Sequence, residues 1–176
     1  MPERGTPDQV ARLAADLARR RIPVTTTVSN FAPFRDSTGV ERISFGIPFM
    51  PGVRANFERL KTHAARLSEA GVPIAIGTDC CGAGERLGDP RALHGARTLY
   101  EMEILHGVGL ANEAILIAAT RTAARVIGMG DVVGTVTVGK RADVLIVDGD
   151  PVEDLAALRS TVAVLKDGRV VHGRLP

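Results

Sequence analysis

Val72-Pro-Ile-Ala-Ile76 constrains this chain more than any other stretch of it. The run is apolar without alternation, the pattern of a strand covered on both faces, as in parallel α/β sheets. It stops at Gly77-Thr-Asp79, so Asp79 falls at the carboxyl end of a buried strand, the edge where parallel α/β folds bind their ligands. Asp79 alone would pass for a helix cap or a turn residue. A carboxylate beside so apolar a run, however, needs a cation or several donors to offset its desolvation. That makes it the sharpest candidate functional residue in the sequence.

The flanking sequence has the grammar of the same fold. Thr6 can cap a first helix, Pro7 suits its first position, and Val10, Leu13, Ala14 and Leu17 share one face. Residues 22–28 are β-branched almost throughout and predict a strand, with Pro23 at its start. Residues 29–52 mix Asn, Pro, Gly and Asp with Phe31, Phe34, Phe45 and Phe49. A loop this long is usually functional. A second helix carries Phe57, Leu60, Ala64 and Leu67 and stops at Gly71. Beyond Asp79 a polar loop leads to Pro90, which opens a third helix to about His106. Asn112 caps a fourth, with Ile115, Ala118, Ala119, Thr122, Ala123, Val126 and Ile127 as its stripe. Helix, buried strand, helix, buried strand predicts a parallel sheet. Past Gly130 the character changes: residues 135–138, 144–147, 162–166 and 169–172 predict a small antiparallel sheet, with Asp167-Gly168 as a hairpin turn. The expected division is into two domains, 1–129 and 130–176.

Several function classes drop out. With 22 basic and 20 acidic residues the charge is too balanced for a nucleic-acid footprint, and no Trp and a single Tyr leave few platforms for stacking bases. All basic residues but Lys61, Lys140 and Lys166 are arginine, a bias of composition rather than a phosphate-binding design. No apolar run approaches the ~18 residues of a membrane span and no signal-peptide core opens the chain, so the expected location is the cytoplasm. The adjacent Cys80 and Cys81 cannot form a disulfide framework. With no second cysteine pair or nearby His to complete a tetrahedral set, they read as small packed residues. His63, His94, His106 and His172 show neither His-x-His nor His-Glu-x-x-His spacing. His63, between Lys61 and Arg66, reads as solvated, whereas His94 follows the loop that leaves Asp79. Of Glu101 and Glu103, one is expected in solvent and the other paired with an arginine. Gly134-Thr-Val-Thr-Val-Gly139-Lys140 falls short of a phosphate loop, because Arg141 stands where Ser or Thr would hold magnesium.

Ala70-Gly-Val-Pro-Ile-Ala-Ile-Gly-Thr-Asp79 resembles the last barrel strand of the amidohydrolase superfamily. The resemblance continues in order through Glu113-Ala114, Ala118-Ala-Thr120, Ala123-Ala-Arg125, Val133-Gly134, Val138-Gly-Lys140, Ala142-Asp-Val-Leu-Ile-Val147 and Asp150-Pro151 to Val164-Leu-Lys-Asp-Gly168 with Val170-Val171. Its flavour is similar to the imidazolonepropionase-like and Xaa-Pro dipeptidase-like branch. The resemblance implies the C-terminal part of a (β/α)8 TIM barrel, strands seven and eight with their helices, plus the C-terminal strands of a small β-sandwich. It also implies one or two divalent metal ions, usually zinc, that activate water to hydrolyse a C–N bond in an amide, cyclic amide or dipeptide. The family's ligands are a His-x-His on strand one, Lys or Glu on strand four, His on strands five and six, and Asp on strand eight. Asp79 matches the last. By this analogy it contacts the metal, accepts the proton of the attacking water and passes it to the leaving nitrogen.

The other ligands have no counterpart here, and a full barrel needs ~250 residues. The expectation is therefore a segment from a truncated or split gene. Its partners would be a small-molecule amide substrate, an N-terminal half carrying the remaining metal ligands, and, through open sheet edges, further copies of itself as a homo-oligomer. Neither nucleic acid nor membrane is expected as a partner. Substrate contacts are expected from residues 29–50 and 80–89, with no individual residue assigned. Two rival readings are a non-catalytic assembly or regulatory subunit derived from such an enzyme, and a small open α/β domain that binds a ligand at Asp79 without metal.

Overall fold

The computed structural model describes residues 6–79, 88–89, 91 and 93–175. The chain forms two compact units, Met1–Leu110 and Ala111–Pro176. Among the described residues no helix is long and apolar enough to cross a membrane.

The first unit opens with α1 (Pro7–Arg19), fixed by a capping box in which the Thr6 hydroxyl accepts from the Gln9 amide and the Gln9 side chain accepts from the Thr6 amide. Strand β1 (Val24–Thr26) pairs in parallel with the buried strand β4 (Ile74–Ile76), Val24 facing Ile74 and Thr26 facing Ile76. Both strands start later than their sequence runs, after Pro23 and Pro73, which have no N–H to donate to a ladder. Between these strands lie a 3-10 turn (Val28–Phe31), a short hairpin of β2 (Phe34–Arg35) and β3 (Glu41–Arg42), and α2 (Pro51–Glu69). The long loop expected at 29–52 is thus internally tied. Its anchor is Asp36, whose carboxylate accepts from the Thr38 amide at 2.9 Å, the Thr38 hydroxyl at 2.6 Å, the Val40 amide at 3.0 Å and Arg42 Nε at 2.5 Å. The Thr38 hydroxyl, followed by Arg42, holds the Asp36 carboxyl well below the usual carboxylate range. Helix α3 (Ala96–Gly107) completes the unit, starting after Gly95; Pro90, expected to open it, lies outside the described residues.

The second unit starts at Ala111 rather than at residue 130, because the fourth helix groups with the β segment. Asn112 does not cap it; the Asn112 carboxamide instead donates to the carbonyls of Val152 and Glu153. This helix is α4 (Asn112–Ile117), a π-helical turn (Ala118–Thr122) and α5 (Ala123–Val126). The wide turn rotates the residues after it by part of a turn, so Ile115, Ala118 and Thr122 are buried as expected while Val126 and Ile127 face outward. Gly134 lies against it at a positive φ of 90°, where an added Cβ would fall 2.5 Å from Ala124 Cβ. The sheet is antiparallel in the order β5 (Val144–Val147), β6 (Thr161–Lys166), β7 (Arg169–Gly173). Asp167 and Gly168 form the β6–β7 turn with φ of 53° and 76°. The strand expected at 135–138 is not formed. Among the described residues nothing pairs with it, and Val136 and Val138 are 92% and 103% exposed. Lys140, at the end of this segment, donates from Nζ to the Gly130 carbonyl at 2.6 Å, a backbone staple.

Candidate active site

Because β1 and β4 are parallel, their carboxyl ends share one edge, and that edge gathers most of the buried polar groups of the first unit. The Gly77 amide donates to the Thr26 carbonyl at 2.9 Å, carrying the pairing one residue past β4. A Cβ there would lie 2.5 Å from Thr25 Cγ2 and 3.1 Å from the Thr26 carbonyl oxygen, so a glycine lets the two chains leave the sheet side by side. Asp79 comes two residues later, in the left-handed region at a φ of 42°; it is exposed, so water meets its carboxylate and the desolvation expected from the apolar run does not arise. Its carbonyl accepts a 3.0 Å hydrogen bond from Asn30 Nδ2.

Asn30 belongs to the 3-10 turn that follows β1 and is itself buried. Two side chains of α3 fasten that turn. The Glu101 carboxylate, 0% exposed, accepts from the Val28 amide at 3.0 Å and the Ser29 amide at 2.6 Å, so both oxygens serve N–H groups that the start of a helical turn leaves free. Arg97, one helical turn earlier, donates to the Ser29 carbonyl at 3.0 Å and to Asp89 Oδ2 at 3.2 Å. Buried Asp89 also accepts from the amide and Nε of Arg91, at 3.0 Å and 2.9 Å, and Arg91 reaches the Pro33 carbonyl at 2.8 Å. Burial draws the Arg97 guanidinium below its usual pKa, with the neighbouring Asp89 opposing the shift. The hydroxyls of Thr26, Ser29 and Ser44 and the Arg97 Nε are buried with no hydrogen-bond partner among the described residues.

A cavity of about 250 Å³ opens beside β1 and the turn, lined by Val24, Thr26, Phe31, Leu60, His63 and Leu67 among others. His63 is therefore half-buried rather than solvated as expected. Burial, then Arg59 and Arg66, lowers its pKa. His94 lies exposed in the turn before α3, and His106 and His172 are exposed as well. Of the two helix glutamates, Glu101 is buried and binds the backbone amides of Val28 and Ser29, while Glu103 is exposed. Cys80 and Cys81, with most of the loop at 80–89, lie outside the described residues.

Among the described residues no group of three or more His, Cys, Asp and Glu side chains could hold a metal ion. A catalytic zinc generally takes three protein ligands, and Asp89 and Glu101 spend their oxygens on Arg91, Arg97 and backbone amides. The described donors do not make a metal site by themselves.

Sequence reasoning missed Asn30, Asp89, Arg97 and Glu101 as parts of one network. The four-residue spacing of Arg97 and Glu101 puts them on one face of a helix, a legible signal; that the face meets residues 28–30 is a tertiary fact.

Comparison with known proteins bears on the same segment. The profile of the amidohydrolase family matches residues 14–173. An imidazolonepropionase of Syntrophobacter fumaroxidans is 34% identical over 102 residues, covering 57% of this chain and 22% of that protein. A 5-methylthioadenosine/S-adenosylhomocysteine deaminase of the same organism is 33% identical over 122 residues, covering 62% of this chain and 27% of its own length. The chain thus spans about a quarter of the length of these relatives. Among solved structures, an amidohydrolase superposes with a TM-score of 0.67 at 25% identity, over 94% of this chain and 38% of its own. A prolidase complexed with N-methylphosphonate-L-proline gives 0.68 at 23% identity, over 93% and 38%.

Proposed function

The chain belongs to the amidohydrolase family, and from that premise we propose that it is the C-terminal segment of a metal-dependent hydrolase acting on a C–N bond, with Asp79 as its catalytic carboxylate. In this reading β1 and β4 are the seventh and eighth strands of a (β/α)8 barrel, and β5–β7 are strands of a small β-sandwich. What carries the reading is the position of Asp79, at the carboxyl edge of a parallel strand pair, inside a match covering residues 14–173. The Asp79 carboxylate takes a proton from the attacking water and returns it to the leaving nitrogen.

Asp79 alone falls short of the three protein ligands that a catalytic zinc generally takes. The remaining ligands are assigned to polypeptide beyond these 176 residues, which the 22% coverage of the imidazolonepropionase supports, as do the edges of the β1–β4 pair, both unpaired among the described residues. The substrate class is a small-molecule amide, either a cyclic amide or an Xaa-proline dipeptide.

The test is to express the 176-residue chain alone and together with the polypeptide encoded directly upstream, then measure bound zinc and hydrolysis of a cyclic-amide and Xaa-proline panel. The expected result is zinc and turnover in the combined sample only, with Asp79→Asn abolishing turnover. Stoichiometric zinc with full turnover in the isolated chain would overturn the incompleteness. No turnover in either sample, with no histidine-bearing upstream polypeptide, would leave a non-catalytic assembly subunit.

A further inference from the structure

We propose that Asn30 is a positioning residue for Asp79: its carboxamide, seated by the Glu101–Arg97 clamp, fixes the backbone from which the Asp79 carboxylate projects. The proposal rests on the catalytic reading of Asp79 and adds to it a residue in a different segment of the chain. Three observations carry it. The sole described hydrogen bond to Asp79 is the one from Asn30 Nδ2 to its carbonyl, across 49 positions of sequence. Asp79 has a φ of 42°, a conformation that L-residues rarely hold without support, although Asp tolerates it better than most. Asn30 itself cannot drift, because the preceding residues of its turn are gripped on both sides: Glu101 takes the Val28 and Ser29 amides, and Arg97 takes the Ser29 carbonyl.

The arrangement fits positioning better than simple packing. An exposed aspartate at the end of a strand needs no partner for its own stability. Yet two wholly buried side chains of α3 are committed to the one turn whose asparagine reaches it. Asn30 in turn accepts the Ser44 amide on its own carbonyl at 3.3 Å, which ties the turn to the loop after β3. A carboxylate that must meet a water and then a leaving nitrogen is sensitive to small displacements, and a misplacement of about 1 Å can cost about 100-fold in rate.

The test compares Asn30→Ala and Asn30→Asp, the second keeping the shape while presenting an acceptor to the Asp79 carbonyl. Folding is followed by the fluorescence of Tyr100, the only Tyr or Trp, which lies on α3. In the 176-residue chain, NMR should show the Asp79 carbonyl carbon moving upfield as its hydrogen bond is lost. Resonances of the second unit should be unchanged in both variants. In the combined sample Asn30→Ala should lower kcat about 10- to 100-fold with KM within about twofold. An unmoved carbonyl shift in folded Asn30→Ala, or an unchanged kcat, overturns the proposal. If the shift moves but Asp79→Asn still hydrolyses the panel, the catalytic reading of Asp79 falls and Asn30 is left holding a structural turn. If Asp79→Asn is dead while Asn30→Ala is fully active, the catalytic reading stands and this inference fails. Should Asn30→Ala not fold, the carbonyl shift of Asn30→Asp decides.

Discussion

Replacing Glu101 should destabilise the first unit far more than a surface carboxylate would, and the structure sets the size of the effect. Glu101 is 0% exposed and both of its oxygens accept backbone N–H groups, at 3.0 Å and 2.6 Å. Hydrogen bonds to a charged group contribute about 1.5–3 kcal/mol each, and an orphaned buried donor costs about 1–3 kcal/mol. Glu101→Gln keeps one acceptor oxygen but turns an NH2 toward the second amide. It also relieves the desolvation of a buried charge, which offsets part of the loss. The net should be about 2–4 kcal/mol. Glu101→Leu orphans both amides and should cost at least about 4 kcal/mol. Tyr100 lies beside Glu101 on α3 and is the only Tyr or Trp in the chain, so its fluorescence during urea unfolding reports this unit alone. With a slope near 1–2 kcal/mol per molar urea, Glu101→Gln should lower the midpoint by about 1–4 M. A midpoint shift below about 0.3 M for Glu101→Gln, or a Glu101→Leu as stable as wild type, would refute the reasoning, since the turn would then be held by Arg97 and local packing.

Three further outcomes are expected. Asp143, drawn down to about 2 by Lys166, the Asp167 amide and Arg141, has a folded pKa below its unbound value of 3.8. Its stabilisation of the β6–β7 turn is therefore complete above about pH 4 and lost as pH falls through about 2. NMR of the Asp167 amide should show Asp143→Asn matching wild type only at the acid end. Gly77→Ala should cost about 1–3 kcal/mol in the Tyr100 melt, because its Cβ would lie 3.1 Å from the Thr26 carbonyl; an unchanged midpoint would mean that β1 and β4 separate freely. Changing both Val136 and Val138 to Thr should leave the thermal stability of the isolated chain within about 0.5 kcal/mol, given exposures of 92% and 103%; a larger loss would mean that the two valines are covered in solution.

What the sequence made legible depends on range. The capping box at Thr6, the buried strand ending at Ile76 and the Asp167-Gly168 turn each arise from a few adjacent residues, and each is where the pattern puts it. The strand expected at 135–138 has the right β-branched residues and, among the described residues, no partner; a strand without a neighbour gains no ladder hydrogen bonds. The drift of the helical stripe at Val126 and Ile127 comes from a π-helical turn that periodicity assumes away. Asp79 could be singled out because the apolar run that places it at a strand end lies directly before it in sequence, although its hydrogen-bond partner Asn30 does not. Glu101 could not, because its partners at Val28 and Ser29 lie more than 70 positions away and are main-chain groups, which no side-chain pattern advertises.

That asymmetry bears on how the proposed enzyme's site would be divided between polypeptides. A carboxylate on a strand end works only if its backbone is already in place when substrate arrives, since ordering it afterwards would draw on binding energy. Every described group that orders Asp79, from Asn30 through the turn to Glu101 and Arg97, lies within the first 110 residues. An arrangement complete in itself on one side of the proposed junction can join a separately made partner without refolding. The same network buried in a chain that only accumulated losses would have nothing left to hold. The expected consequence is that the Asp79 carbonyl carbon has the same NMR shift in the isolated chain as in the combined sample, because Asn30 already donates to it. A hydrogen-bonded shift that appears only on mixing would mean that the partner, and not α3, sets the aspartate.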